Sequence, residues 1–118
     1  LAVAQWLAAA FGLGPADARA WDNAALRAAC RGGHLAVAQW LAATFGLGPA
    51  DARTEDNAAL REACENGHLA TAMWLAAAFG LGPADAHARG NEALHLAREA
   101  GHSAIVVWLL TTFGTPPA

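Results

Sequence analysis

Cysteine and histidine recur four residues apart in this chain, a spacing that could supply ligands to a metal ion. The recurring pairs are Cys30 and His34, Cys64 and His68, and Arg98 and His102, in which arginine replaces the third cysteine. A structural zinc site takes four ligands, and no pair offers more than two. We therefore predict no metal site, and we expect the histidines to bond backbone groups at a tight turn.

Carboxylates recur as well, at Asp17, Asp51 and Asp85, and could act as general acids or bases. No Ser/His/Asp or Cys/His grouping with a third member accompanies them. The Gly-x-Gly pairs lack the further glycines and the preceding strand of a phosphate-binding loop. We expect each aspartate to cap a turn or to pair with Arg19, Arg53 or a neighbour. The chain is thus predicted to be no enzyme and to need no cofactor.

The elements that position these residues come from a 34-residue repeat. Residues 1–34 and 35–68 differ at six positions, and residues 69–102 match the middle copy at 22 of 34. Such a period indicates a stacked array of small units. We expect one array fragment over 1–118, with a leading helix in 1–16 and units at 17–50, 51–84 and 85–118, and we interpret it as part of a longer array.

Each unit predicts two helices. In the second unit, apolar residues fall at i, i+3, i+4 and i+7, namely Leu60, Ala63, Cys64 and Gly67. This stripe predicts helix A over 57–65, with Asp56 or Asn57 as its N-cap and Asn66-Gly67 as its stop.

The second helix and the link to the next unit are also predicted. Helix B is expected over Leu69–Phe79, and Gly80 should end it. The Pro-Ala-Asp that follows, beginning at Pro83, predicts a single helical turn.

Composition and charge argue against two classes of partner. The net charge is −3, from 7 Lys and Arg against 10 Asp and Glu, and no basic stripe favours nucleic acid. The longest apolar stretches span about one helix B, well short of the roughly 20 residues that a membrane span needs. Abundant alanine, no tyrosine and no alternating strand pattern indicate an all-α protein.

Several segments resemble ankyrin repeats. Residues 94–102, LHLAREAGH, resemble the family's LHLAAxxGH signature, and residues 60–68, LREACENGH, keep its Leu, Ala, Gly and His. Asp22, Asp56 and Gly90 stand where the family has the Gly of GxTPLH, and these residue types tolerate positive φ. The sequence pattern CENGHLxxAxWL resembles a divergent subtype of this family found in protists and in large viruses of amoebae. The resemblance implies an ankyrin-type repeat solenoid of antiparallel helix pairs with long connecting loops.

The repeat also departs from the family pattern. Its period is 34 where the family norm is 33, and Gly-Pro-Ala-Asp stands in place of GADVN. We therefore expect a short helical turn in place of the usual β-hairpin finger. A tetratricopeptide-like helical repeat remains an alternative, because that family has a period of 34, although its pattern calls for a tyrosine that this chain lacks.

Equivalent positions in successive repeats form what we call a column, and some columns do not vary. The tryptophans Trp6, Trp40, Trp74 and Trp108 and the phenylalanines Phe11, Phe45, Phe79 and Phe113 recur at fixed places in helix B, and we expect them to form core between units. Cys30 and Cys64 share one column, and helices that pack about 8–10 Å apart keep their Cα atoms too distant for a disulfide. Free, packed thiols indicate an intracellular, cytoplasmic protein.

The columns that vary predict the function. In the family, the finger tip and the exposed side of helix A form a concave surface that binds partner proteins. The candidate contacts on these columns are Ala20, Trp21, Arg27, Arg31, Thr54, Glu55, Arg61, Glu62, Glu65, Asn66, Ala88, Arg89 and His95. Trp21 stands out because its counterparts are Glu55 and Arg89, a mixture that no core position accepts.

The chain is predicted to be a non-catalytic protein–protein interaction module. A structural spacer in a longer array and an accessory segment of an enzyme remain alternatives, because drift on any exposed face would look the same.

The last helix B is the most apolar, through Ile105, Val106, Val107, Leu109 and Leu110. The terminal unit of an array should instead be polar on its outer face. Either a further repeat covers this helix, or it associates with another molecule, including a second copy of the chain.

Overall fold

The computed structural model describes residues 14–114, together with residues 5 and 12, and this part of the chain folds as a stack of helices without strands. The helices in chain order are α1 (Pro15–Ala18), α2 (Ala20–Arg31), α3 (Leu35–Phe45), α4 (Pro49–Ala52), α5 (Thr54–Glu65), α6 (Leu69–Phe79), α7 (Pro83–Ala86), α8 (Ala88–Glu99) and α9 (Ser103–Phe113). Each unit therefore consists of a short helix, a helix A (α2, α5 or α8) and a helix B (α3, α6 or α9).

The predicted boundaries of helix B and of the helical turn are confirmed. Helix α6 runs from Leu69 to Phe79 and ends at Gly80, whose φ of 62° is left-handed. The segment that the sequence assigns to a long loop contains a one-turn helix that starts at Pro83. Proline suits this first position because its missing N–H would have no helical partner there. No β-hairpin finger is present in the described part of the chain.

The predicted N-cap of helix A is wrong. Neither Asp56 nor Asn57 caps α5 with its side chain, because both residues belong to a left-handed turn with Glu55. The turn is closed by the Asn57 N–H, which donates to the Arg53 carbonyl at 3.1 Å. The right-handed part of helix A therefore starts at residue 58, one residue after the predicted start, and Gly67 with a φ of 81° follows its end as expected.

The core lies between the faces of the helices that meet from unit to unit. Leucines of helix A, leucines and phenylalanines of helix B, and both cysteines are buried in it, namely Leu26, Leu60, Leu94, Leu41, Leu75, Leu109, Phe45, Phe79, Phe113, Cys30 and Cys64. The phenylalanine ladder is thus confirmed as core, and the cysteines are free. Trp6 and Phe11 lie outside the described residues.

The tryptophan ladder lies at the rim of this core and is only half-buried. Trp40, Trp74 and Trp108 pack against the core. Each ring also stacks edge-on against a phenylalanine five residues later, with centroid distances of 5.4–5.6 Å. The prediction that these tryptophans form core between units therefore holds in part, because the rings of Trp40, Trp74 and Trp108 pack against the core but stay partly exposed.

The predicted exposed apolar face of the last helix is largely wrong. Ile105 and Leu109 are buried, and Val106 and Leu110 are partly covered, because α9 packs on α8 and α7. Val107 alone among the five is well exposed, at 59%. A single valine is a much smaller apolar patch than self-association through all five residues would require.

Histidine at the A–B turn contacts the preceding unit. The Glu65 carbonyl lies 3.1 Å from His102 Nε2 and accepts its hydrogen bond, which confirms the expected bond to the backbone. The ring covers Gly67, where an added Cβ would lie 2.7 Å from His102 Cε1. His68 covers Gly33 in the same way. Glycine is needed in this column for two reasons, since its φ is positive and a ring from the next unit lies against it.

We expect Gly67→Ala to destabilise the fold more than Gly80→Ala. Both glycines have positive φ, at 81° and 62°, but nothing lies within 4 Å of a Cβ added at Gly80. The strained φ alone should cost about 1–2 kcal/mol, and the overlap with His102 should add about 1–3 kcal/mol. Urea unfolding of both variants measures the difference. Equal losses would show that the histidine does not restrict this position.

Candidate functional site

Three left-handed turns bring the variable columns to the surface. They are turn 1 (residues 21–23), turn 2 (residues 55–57) and turn 3 (residues 89–91), and every residue in them has a φ between 53° and 65°. The first two residues of each turn are exposed, and we call these six the turn-tip residues: Trp21, Asp22, Glu55, Asp56, Arg89 and Gly90. Trp21 is 86% exposed.

An arginine one turn further along helix A stabilises turns 1 and 2. Arg27 donates from Nε to the Asp22 carbonyl at 3.0 Å and from Nη2 to the Trp21 carbonyl at 3.3 Å. Arg61 donates in the same way to the carbonyls of Asp56 and Glu55, at 3.0 and 2.8 Å. Left-handed backbone costs about 1–2 kcal/mol per L-residue, and these charge-assisted bonds offset part of that cost.

Turn 3 reaches the same shape by a different route. His95 stands where the other units have arginine, and no hydrogen bond from it to the turn is found among the described residues. The middle residue of turn 3 is Gly90 in place of aspartate, and glycine adopts positive φ without a Cβ penalty. Turn 3 therefore lacks the hydrogen bonds from arginine, but its backbone is also less strained at the middle residue.

A polar contact that we call a rung links turn 1, and likewise turn 2, to the next unit. In the first rung, Asp51 accepts hydrogen bonds from Arg19 at 2.8 Å and from Asn23 Nδ2 at 3.2 Å. Asn23 also donates to Thr54 Oγ1 at 3.1 Å, directly before turn 2. The second rung repeats this arrangement one unit later, with Arg53, Asn57 and Asp85. The third residues of turns 1 and 2 thereby hold each of these turns to the next unit.

The rung aspartates also cap the short helices of their own units, as the sequence predicts. The Gly48 N–H donates to Asp51 Oδ2 at 2.8 Å. The hydrogen bond from Arg19 lowers the pKa of Asp51 against the opposing effect of burial, and bonds from the Gly48 N–H and Asn23 lower it further. Burial alone would raise the pKa of Asp85, but hydrogen bonds from Arg53, the Gly82 N–H and Asn57 together lower it. Their negative charge therefore stabilises the contact between units.

The exposed side of helix A carries a network of ion pairs. Glu62 lies 3.9 Å from Arg27 and 3.8 Å from Arg31. Glu92 is shared in the same manner by Arg61, at 3.3 Å, and by Arg89, at 3.1 Å. Most arginines on this side are therefore already paired within the chain.

Arg61 does not belong in the predicted partner-binding set. Its residue exposure is 9%, and its guanidinium is occupied by two carbonyls of turn 2 and by Glu92. An arginine that is buried and already holds two main-chain carbonyls and a carboxylate supports its neighbours and is poorly exposed to a partner.

The other predicted contacts fall into two groups. Ala20, Trp21, Arg31, Glu55, Glu65, Asn66, Arg89 and His95 are exposed. The partly buried group comprises Arg27, Thr54, Glu62 and Ala88. Asn66 is exposed but donates to the Arg31 carbonyl at 3.2 Å, so it also joins two units.

Asp22 and Asp56 were missed as surface residues by reasoning from sequence. The sequence places both in a column that tolerates positive φ, and it offers Asp56 as an N-cap, but neither is among the predicted partner contacts. Their alternation with Gly90 was the available signal, because a column of Asp and Gly indicates positive φ, which occurs mostly in exposed turns.

The remaining candidates for chemistry are inert. Burial raises the pKa of the Cys64 thiol to about 12, and burial together with the charge of Glu62 does the same for Cys30. Such thiols remain protonated and unreactive at neutral pH. Within the described residues no group of three or more metal-ligating side chains comes together. No helix of this part of the chain has the length and apolar character needed to cross a bilayer.

Comparison with known proteins gives one match. A family model described as ankyrin repeats, in three copies, matches residues 26–116. No curated protein and no solved structure matches the chain. The matched span covers more than half of the sequence, and it favours this family over the tetratricopeptide interpretation.

Replacing the arginine that supports turn 2 should destabilise the fold, and a glycine in the turn should restore part of the loss. Arg61→His removes two charge-assisted hydrogen bonds and should cost about 1.5–3 kcal/mol. Adding Asp56→Gly reproduces the combination found in turn 3 and should recover about 1 kcal/mol. Urea unfolding measures both effects, with the exposed Arg31→His as control. If Asp56→Gly gives no recovery, the arginine does not act through the turn.

Stability should fall in acid because of the rungs. The folded-state pKa values of Asp51 and Asp85 are lowered, so their contribution is complete above the unfolded pKa of about 3.9 and is lost as the pH falls through the folded values. The double variant Asp51→Asn, Asp85→Asn should melt lower at neutral pH and show a shallower acid dependence below about pH 4. Melting curves over this range test it. Asp22→Asn, at an exposed tip, should retain the wild-type dependence.

Proposed function

The chain belongs to the ankyrin repeat family, whose members generally mediate protein–protein interactions, and we propose that it binds a partner protein through its turn tips and helix A. The family is typically non-catalytic, and we propose that this chain has no chemistry of its own.

One observation carries the proposal. Equivalent tip positions hold Trp21, Glu55 and Arg89 on three turns of the same backbone shape. A large aromatic ring that is 86% exposed gains no stability from the fold, and tryptophan and arginine are enriched at binding hot spots. The turns are held by hydrogen bonds, so a partner would order little backbone on binding.

The proposed surface has contacting and supporting residues. The contacts are Ala20, Trp21, Arg31, Glu55, Glu65, Ala88, Arg89 and His95, together with Asp22 and Asp56. Arg27, Thr54, Glu62 and Asn66 would act as supports, because each contacts a neighbouring turn or unit. The proposed division into units at 17–50, 51–84 and 85–118, after residues 1–16, places one turn in each unit.

A structural spacer is the second candidate. The two rungs hold consecutive units in the same register, through arginine–aspartate distances of 2.8 Å in both. A spacer would need this regularity, but it would not need a tryptophan at a tip.

Capture of partners from a cell extract separates the two candidates. The full chain serves as bait beside the variant Trp21→Ala, Arg89→Ala. We expect a specific partner to lose about tenfold or more of its binding to the variant, since truncated hot spots cost 2 kcal/mol or more. The melting temperature should stay within about 2 °C, because surface substitutions rarely change stability by more than about 0.5 kcal/mol.

Met73→Ala is the matched control, because Met73 is 47% exposed on helix B, away from the tips. It should bind like the parent. A partner that is lost with Met73→Ala and kept by the tip variant would show that the proposed surface is wrong. Failure to capture any specific partner would favour the spacer.

A further inference from the structure

The turn-tip residues form a row whose charges follow a fixed order. Turn 1 presents Trp21 and Asp22, turn 2 presents Glu55 and Asp56, and turn 3 presents Arg89 beside an uncharged glycine. The row therefore runs from aromatic and acidic, through acidic, to basic. A surface with this order would select a partner by the sequence of its charges as well as by its net charge.

The row has a defined spacing. Asn23 Nδ2 bonds Thr54 Oγ1 at 3.1 Å, and Asn57 Nδ2 bonds Asp85 Oδ1 at 3.1 Å, so neighbouring turns are held unit to unit. Packed helices lie about 8–10 Å apart, and we expect the same separation between tips. An extended chain in the polyproline II conformation advances about 3.1 Å per residue with three residues per turn, so every third side chain faces the same way and about three residues span the distance from one turn to the next.

The carboxylates at turns 1 and 2 are free to meet a partner. Within the described residues, Asp22, Glu55 and Asp56 have no side-chain hydrogen bond or ion pair. The nearest arginines lie on the inner side of the turns and use their donors on main-chain carbonyls. The side chains of these arginines are 27% and 11% exposed, for Arg27 and Arg61 respectively, so the carboxylates form the outer layer.

Trp21 adds a second preference for a cation. The face of an indole ring attracts arginine and lysine side chains through its negative quadrupole. Asp22 follows it directly and is also exposed, so each of the two side chains that turn 1 presents favours a basic group. An acidic or phosphate group at the same place would meet only repulsion.

Turn 3 has the opposite preference. Arg89 is 53% exposed along its side chain, and its one ion-pair partner, Glu92, is shared with Arg61. Arginine has five N–H donors, so Arg89 can still bind a carboxylate of the partner by donating two parallel hydrogen bonds to it.

From this order we propose that the partner offers an extended segment with basic side chains opposite turns 1 and 2 and an acidic side chain opposite turn 3, spaced by about three residues. The inference rests on the proposed function and adds to it the chemistry of the partner. It identifies a protein segment of mixed charge, in contrast to nucleic acid, whose uniform negative charge would be repelled by turns 1 and 2.

Peptides of identical composition test the order directly. Each has twelve residues of glycine and serine, with charged residues at three-residue spacing in the order Arg, Arg, Glu or in the order Arg, Glu, Arg. The full chain is titrated with each peptide, and the indole signal of Trp21 is followed by NMR. We expect the Arg, Arg, Glu peptide to bind about fivefold or more tightly than the Arg, Glu, Arg peptide. Equal binding would overturn the inference.

A charge exchange within the row provides the decisive variant. Glu55→Arg combined with Arg89→Glu leaves the net charge unchanged, makes turn 2 neutral because Asp56 remains, and makes turn 3 acidic. This variant should prefer the Arg, Glu, Arg peptide. The exchange Arg98→Glu with Glu99→Arg, at two exposed residues outside the row, is the control and should keep the original preference. The same preference in all three proteins would contradict a role for the row.

The extract experiment separates this inference from the proposed function. If a captured partner is lost with the Trp21→Ala, Arg89→Ala variant but binds the Glu55→Arg, Arg89→Glu variant as well as the parent, the charge order is refuted and the binding surface stands. A partner that prefers the parent and is competed by the Arg, Arg, Glu peptide supports both. Competition by an oligonucleotide in place of the peptide would refute the mixed-charge segment.

Discussion

The aspartate of each rung is the contact on which the rest of the structure depends. Asp51 accepts the Gly48 N–H at the start of its own short helix, α4, and side chains of Arg19 and Asn23 from the preceding unit. One carboxylate therefore ends a local helix and joins two repeats. Because Asn23 is also the last residue of turn 1, the same contact determines where the tip of that turn lies relative to turn 2.

The left-handed turns show how strain is tolerated at a surface. Three consecutive residues in this region are rare for L-amino acids because the Cβ atom approaches the carbonyl oxygen. In turns 1 and 2, Arg27 and Arg61 bind the carbonyls of the strained residues from the inner side. The first two side chains of each turn are consequently directed to solvent, and this exposure makes the turns candidates for recognition.

Much of the fold could be predicted from the sequence, but the turns could not. The bounds of α6, the positive φ at Gly67 and Gly80, and the short proline helices follow from local rules on helix stops and proline. The conformation of Asn57 depends on Asp85, 28 residues later, and no local pattern reveals that bond. The burial of Arg61 was likewise unforeseen, because charged residues in a variable column are normally solvated.

The histidine that covers the glycine of the preceding unit has a consequence for how such an array grows. His68 lies against Gly33, and His102 lies against Gly67, so each unit carries one half of the contact for the unit before it and one half for the unit after it. A duplication of any 34 consecutive residues copies both halves in register. Gene duplication can therefore lengthen the array in one step, without waiting for new interface mutations.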